Sequence, residues 1–516
     1  MWLRTPSPSA FAAIGAGIMA TTAMPPFQGT GLLIVPALTL LLGALRASRS
    51  PARTAWLFGV VHQASLLHWL YQLGPDAPIA SRTLIPAMAT GAIVYVSLFY
   101  LLFGWIWGLV RRTFGAPVAL ALAPPLWVGM EALRSAGELS FPWCLSGAAV
   151  LATPWLGLAA AGGEQALGFW AVVAGAVMAA WSAVAARDIA YRIPALALTA
   201  LLLAASVALV TGSRLPSTPA DAPTFSVAAA QADVSLADKW HRERRDSTVV
   251  PYTALTAEAA RRGADLVVWA ETAVPAYLRV ASNRVLLDWV SAVADTNDVS
   301  LFAGHPDVEA ALDGNHRRYN GSSLFDADGV RRDGYAKHHL LPFGEVMPFQ
   351  RLIPALGRLD LGQAEWRQGA LPEPMAVIAH GDTLNIAAMI CFESCLAPLS
   401  RHAARRGAEM LVNITNDGWF GFTAGPIQHA AMARLRAAET GLPLVRCANN
   451  GLSFVTDARG KVLDEAMLGQ RRIVIADVTP GAGATTYVRY GTQPLLVLLL
   501  VWSAGVAVVA GRKRRG

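Results

Sequence analysis

Residues 387–394 read Ala387-Ala388-Met389-Ile390-Cys391-Phe392-Glu393-Ser394, an apolar run that stops at a thiol and a carboxylate. Short apolar runs bounded by polar residues suit strands buried on both faces. A cysteine at the carboxyl end of such a strand, just before a helix, is presented on a tight turn with its sulfur toward a helix amino terminus. On both sides of this stretch, β-rich runs alternate with Ala- and Arg-containing helical runs. Segments 225–230, 266–269, 299–303, 385–390, 410–414 and 444–446 read as strands, and 247–262, 281–296, 396–406 and 426–440 as helices. Asp328-Gly329 and Arg459-Gly460 supply hairpin punctuation between apolar runs. This alternation predicts a layered α/β sandwich over 214–490.

Two more strand ends in that region carry reactive groups. Segment 266–272 runs from an apolar strand into Glu271, with Pro275 shortly after, and 334–345 contains Lys337 and Glu345. Each has a plain structural reading: a buried small hydrophobe for Cys391, a solvated hairpin charge for Lys337, a helix cap for Glu271. In combination they fit covalent acyl transfer, because a carboxylate can take a thiol proton and an ammonium can stabilise the oxyanion of a tetrahedral intermediate.

The other half of the chain is of a different character. Of 516 residues, 54% are hydrophobic and only 15% charged, and 1–213 is largely apolar. This excludes a disordered chain, a collagen and a coiled coil. A helix needs about 20 apolar residues to cross a bilayer core. The uncharged run 5–45, broken at Pro25-Pro26, supplies two candidate spans, and 54–75, 83–110, 113–130, 165–186, 193–213 and 491–511 bring the expectation to eight. Segment 139–163, rich in Pro and Gly, is expected to be a re-entrant or interfacial loop. With the amino terminus inside, the inside segments hold 12 basic residues, while the short outside loops hold only Arg82 and Arg134. That bias predicts that 214–490 faces outward, into the periplasm of a bacterium. The formal charge of +7 is thus a topology signal, with no nucleic-acid partner expected. Four cysteines are too few for a disulfide scaffold. His305, His338-His339, His402 and His429 form no zinc spacing, so neither metal nor cofactor is expected. Cys144 and Cys447 read as packing residues, Arg436 and Glu439 as a structural ion pair, and His62 as a polar residue facing the bundle interior.

Several motifs resemble the nitrilase (carbon-nitrogen hydrolase) superfamily, in particular its membrane branch, the bacterial apolipoprotein N-acyltransferases. Trp269-Ala270-Glu271-Thr272-Ala273-Val274-Pro275 is similar to the family's Glu motif, Lys337 with Pro342-Phe343-Gly344-Glu345 to its Lys motif, and Cys391-Phe392-Glu393 to its nucleophile motif. The stretch from Asn413 through Trp419 and His429 to Glu439 resembles the family's segment downstream of the nucleophile, and Glu131-Ala132-Leu133-Arg134 and Phe141-Pro142-Trp143 resemble a membrane-half motif. The resemblance spans essentially the full chain. It implies a polytopic α-helical membrane bundle plus an α/β nitrilase-like αββα sandwich, with seven helices over 1–213, the catalytic domain over 214–490, and an eighth helix with a basic cytoplasmic tail over 491–516.

The same resemblance implies that Cys391 is the nucleophile, Glu271 the general base and Lys337 the charge stabiliser, supported by Glu345, Phe392 and Glu393. Trp240 and Trp419 would meet substrate. Phe392 stands where tyrosine is common, so that hydroxyl is missing here. The implied reaction is ping-pong: a glycerophospholipid acylates Cys391, and the amino-terminal diacylglyceryl-cysteine of an apolipoprotein takes the acyl group, at the bacterial inner membrane and with a monomeric enzyme. Segment 346–357, apolar with one charge, is expected to be a mobile lid that touches lipid; a buried hydrophobic loop is its alternative. Rival readings are a membrane-tethered amidase using the same three residues, and a transporter with an inactive outer domain.

Overall fold

The computed structural model describes residues 7–27, 29–73, 82–215, 221–239, 248–310, 316–350, 352–358 and 366–515. The chain divides into two compact units. One comprises Met1–Tyr71, Thr83–Arg214 and Tyr490–Gly516, the other Gln72–Arg82 and Leu215–Arg489.

The first unit is helical, with α1 (Pro8–Thr22), α2 (Ile34–Ala47), α3 (Pro51–Leu66), α4 (Ile85–Phe114), α5 (Ala116–Ala121), α6 (Ala123–Arg134), α7 (Ala159–Ala185) and α8 (Arg192–Gly212), to which the closing helix (Gln493–Arg515) belongs. Among the described residues, four helical stretches are long and apolar enough to cross a membrane: Arg82–Phe114, Trp155–Ala185, Ile189–Gly212 and Gln493–Arg512. Helix α1 has 15 residues, which at 1.5 Å per residue gives about 22 Å, short of a hydrocarbon core of about 30 Å. The segment expected as a fifth span is not one helix: α5 and α6 are separated at Leu122. Pro124 and Pro125 open α6 and have no N–H to return to the preceding turn.

Segment 139–163 holds two short 3-10 helices, Ser146–Ala152 and Pro154–Leu158, before α7, whose first turn is broken at Gly162 and Gly163. Two buried charges of α6 fasten this loop. Glu131 Oε1 accepts from the Ser146 N–H at 2.8 Å and its hydroxyl at 2.7 Å. Arg134 donates to the carbonyls of Phe141 at 3.1 Å and Trp143 at 2.6 Å. His62 is buried beside the Thr21 hydroxyl, 2.9 Å from Nδ1.

The second unit carries two six-stranded sheets. Their strands are β1 (Phe225–Gln231), β2 (Leu266–Trp269), β3 (Ser300–Ala310), β4 (His316–Phe325), β5 (Arg331–Ala336), β6 (Met375–Ala379), β7 (Asp382–Ile390), β8 (Met410–Thr415), β9 (Leu444–Ala448), β10 (Ser453–Thr456), β11 (Val462–Ala466) and β12 (Arg472–Val478). The sheets run in the order β12-β1-β2-β3-β4-β5 and β11-β10-β9-β8-β7-β6. Within each, the central triplet is parallel, β1-β2-β3 and β7-β8-β9. Helices α9 (Leu236–Lys239), α10 (Val249–Arg261) and α11 (Arg284–Asn297) accompany the first sheet in sequence, and α12 (Ala397–Arg405) and α13 (Ala424–Thr440) the second; α14 (Thr486–Tyr490) comes after β12, and the closing helix is α15.

Side-chain alternation explains the layers. Along β7, Ile386, Ala388 and Ile390 enter the core shared by the two sheets, while Ala387 and Met389 pack with Ala403 and Ala404 of α12 and Ala430, Ala433 and Ala437 of α13. Both faces of the strand are therefore apolar, the pattern of a parallel strand covered on two sides. The architecture is an αββα sandwich.

Candidate active site

The parallel strands end on the same side of the sandwich, and the reactive groups lie just beyond those ends. Glu271 lies two residues past β2, ahead of Thr272, whose φ of +48° puts the chain in the left-handed region. A Cβ on Gly304 of β3 would come within 2.5 Å of the Ala270 carbonyl oxygen and 2.9 Å of the Glu271 Cα, so only glycine lets β3 lie against this turn. Lys337 directly follows β5, and its N–H donates to the Asn320 carbonyl of β4 at 2.8 Å. Cys391 directly follows β7 with φ +53° and opens the 3-10 turn Cys391–Cys395.

A continuous polar chain joins three of these groups. Glu271 accepts from the Asn320 side-chain amide at 2.7 Å and from the Asn416 N–H at 2.9 Å. The same Asn320 amide donates to Glu345 Oε1 at 3.1 Å, and Lys337 Nζ lies 2.6 Å from Glu345 Oε2, which also accepts from the Leu341 N–H at 2.8 Å. With an acceptor carboxylate on each side, the Asn320 side chain must present its NH2 group to both.

The electrostatics bring Cys391 into this group. Burial and then the Glu271 charge push the thiol up to about 12, against the pull of the Lys337 ammonium and a hydrogen bond with Thr415. Glu271 is raised, chiefly by burial and against the opposing Lys337 charge, with Glu345 raising it further. Burial disfavours the Lys337 ammonium, yet Glu345, Cys391 and Glu271 together hold it well above the ordinary lysine value. The resting site thus holds a neutral thiol, a fixed cation and a carboxylate whose proton affinity is raised, as a general base for that thiol requires.

Glu393 ties the Lys337 and Cys391 loops together. It is fully buried, and its Oε1 accepts from the Tyr335 hydroxyl at 2.9 Å and the N–H groups of His338 and His339 at 2.8 and 2.9 Å, while Oε2 accepts from the Ile390 N–H at 2.7 Å. Phe392 is buried with its ring stacked on His339, centroids 6.1 Å apart.

Beside the Cys391 turn lies a charged cluster. His429 Nε2 is 3.1 Å from the Cys391 carbonyl oxygen, and its Nδ1 is 3.0 Å from Asp417. Arg446 bonds Asp417 at 2.7 Å and also Asn413. Burial would raise the Asp417 carboxyl, but Arg446 and then His429 hold it at about 2.

The structure therefore brings Glu271, Lys337, Glu345 and Cys391 together, with Phe392 and Glu393 beside them. Trp419 is half-buried in the turn Asp417–Phe420, which begins just after Asn416. Trp240 lies outside the described residues. Segment 346–357 exposes Phe349, Leu352 and Ile353, the last two at 77% and 52%, while Met347 is buried. All four cysteines are free, and the buried Arg436 and Glu439 pair at 3.0 Å. Sequence reading passed over Asn320, whose position in a strand gives no pattern, and the joining of Asp417 and His429, both inside the family-like stretch, to Arg446 of β9, which the sequence shows only as part of a strand.

An αββα sandwich that presents Glu, Lys and Cys from its strand ends defines a carbon-nitrogen hydrolase domain, and residues 226–487 match the family described as carbon-nitrogen hydrolase. Residues 16–177 match the apolipoprotein N-acyltransferase N-terminal domain. A protein of Azotobacter vinelandii named apolipoprotein N-acyltransferase is 32% identical over 511 residues, covering 97% of this chain and 96% of its own. Proteins of the same name are 30% identical in Vibrio parahaemolyticus, covering 97% of each chain, and 29% identical in Pseudomonas syringae pv. tomato, covering 99% of each. A solved carbon-nitrogen hydrolase from Helicobacter pylori G27 is 19% identical, covers 50% of this chain and 89% of its own, and has a TM-score of 0.38. The chain belongs to the apolipoprotein N-acyltransferase family and is an acyltransferase.

Proposed function

We propose that the protein transfers an acyl chain from a glycerophospholipid to the amino-terminal diacylglyceryl-cysteine of bacterial lipoproteins by way of a thioester on Cys391. The observation that carries this reading is the Glu271–Asn320–Glu345–Lys337 chain, whose outer members both act electrostatically on the Cys391 thiol. In the first half-reaction Glu271 takes the thiol proton, and sulfur attacks the ester carbonyl. The oxyanion of the tetrahedral intermediate is stabilised by Lys337, with the Phe392 N–H as second donor. Collapse breaks the ester bond, Glu271 returns the proton to the departing glycerol oxygen, and a lysophospholipid leaves. In the second half-reaction the α-amine attacks the thioester, loses a proton to Glu271, and releases the thiolate, which takes that proton back.

The lipid donor is supported by the apolar first unit and by the exposed Phe349, Leu352 and Ile353, which come soon after Glu345 in the chain and can meet acyl chains as a lid. The eight-span topology, with the catalytic domain on the periplasmic side of the inner membrane, rests on the excess of basic residues in the inside segments. Trp240 and Trp419 are proposed to contact substrate, and the enzyme to act as a monomer.

The test is to incubate the purified full chain with a glycerophospholipid bearing an alkyne-tagged acyl chain, then locate the tag by mass spectrometry. A hydroxylamine-sensitive tag on Cys391, absent in Cys391→Ser and discharged by a diacylglyceryl-cysteine peptide, is expected. Turnover of a small amide without any tag on Cys391 would sink the proposal in favour of an amidase.

A further inference from the structure

Lys239 closes α9, and its side chain is fully buried. Burying an ammonium is costly unless its charge is used. Its Nζ donates to the backbone carbonyl of Glu271 at 2.9 Å. A neutral donor could make that bond without the cost of burying a charge, so the positive charge itself calls for an explanation. Lys337, the other buried ammonium at this site, is bound to Glu345 at 2.6 Å, whereas among the described residues no carboxylate forms an ion pair with Lys239. The ionisable groups around Glu271 are Lys239 from α9, Lys337 after β5, Glu345 in the loop beyond it, and Cys391 after β7; Cys447 of β9 acts on Lys239 from the other side.

Resting on the reading of Glu271 as general base, we infer that Lys239 is a positioning residue for it. Its side chain pins the Glu271 main chain at the left-handed turn and, while protonated, supplies a positive charge that favours the ionised carboxylate beside Glu345. Burial pushes Lys239 itself down to about 7, with Glu271 and Cys447 opposing the fall, so the charge is present on the acid side of neutrality, where a general base must lose its proton.

The test uses Lys239→Met and Lys239→Gln in the full chain, both similar in length to lysine and uncharged. The readout is the pH dependence of single-turnover Cys391 acylation from the alkyne-tagged glycerophospholipid. A parallel arm tracks alkylation of Cys391 by iodoacetamide, which requires thiol deprotonation and no lipid. In both variants the acid limb is expected to move up by about one pH unit, with about a tenfold loss at pH 6 and little change in the lipid concentration for half-saturation. Acid limbs unchanged in a folded variant would overturn the inference, and so would loss of the folded protein in both variants, which would make Lys239 a packing residue. If the wild-type chain accepts no acyl group from the lipid, the proposed function fails while the alkylation arm still decides the role of Lys239.

Discussion

Replacing Glu393 by alanine should separate the two loops that carry Lys337 and Cys391. The carboxylate accepts four hydrogen bonds, from the Tyr335 hydroxyl and from the N–H groups of His338, His339 and Ile390, all at 2.7 to 2.9 Å. Its loss leaves four donors without their acceptor, at about 1 kcal/mol or more each. Part of this is offset because burial makes the ionised carboxylate unfavourable, which is why Glu393 titrates above the ordinary glutamate value. The balance is a destabilisation of about 2–4 kcal/mol, or roughly 5–15 °C in the melting temperature of a unit of this size. Glu393→Gln should cost less, about 1–2 kcal/mol, because one oxygen still accepts while the new NH2 opposes a single donor. Thermal melts of both variants in detergent, read alongside the rate of Cys391 acylation, provide the assay. Acylation should fall by about 100-fold in the alanine variant, since a displacement near 1 Å is enough for that loss. An alanine variant that melts and acylates like the wild type would refute the idea that Glu393 holds the site together.

Asp417 gives a pH prediction. Its folded carboxyl titrates at about 2 against an ordinary 3.8, so it contributes about 2 kcal/mol above pH 4, lost as the pH falls from about 4 toward 2. Urea midpoints should fall over that window in the wild type and much less in Asp417→Asn; parallel curves would count against it. Asn320→Leu removes the amide shared by Glu271 and Glu345, and acyl transfer at neutral pH should drop by about 10- to 100-fold as Glu271 loses a hydrogen bond that favours its ionised form. Activity that survived at the wild-type level would show that the bridge is dispensable.

The sequence revealed the parallel strands more readily than the rest of the sheets. Those strands, 266–269 and 385–390 among them, are covered on both faces and read as continuous apolar runs, whereas β4 begins His316-Arg317-Arg318 and the edge strand β11 carries Asp464-Glu465, so these two strands resembled loops. Glu271, Lys337 and Cys391, the three residues proposed to act in catalysis, were legible because each lies at or just past the end of a strand. Asn320 and Lys239 were not, because a hydrogen bond between segments distant in sequence leaves no local pattern. The apolar, helical character of the first half was legible by hydropathy, but four described helices rather than eight are long and apolar enough to span, and the prolines at 124 and 125 divide a segment that composition presents as one span.

The pairing of the first and last strands bears on how one chain carries both units. Phe225 lies opposite Val478, and the ladder continues to Gln231 opposite Arg472, so the sandwich is clasped where its polypeptide arrives and departs. Adjacent ends of this kind are what lets one domain be inserted into the chain of another, and here the sandwich follows the eighth helix of the sequence and precedes the last.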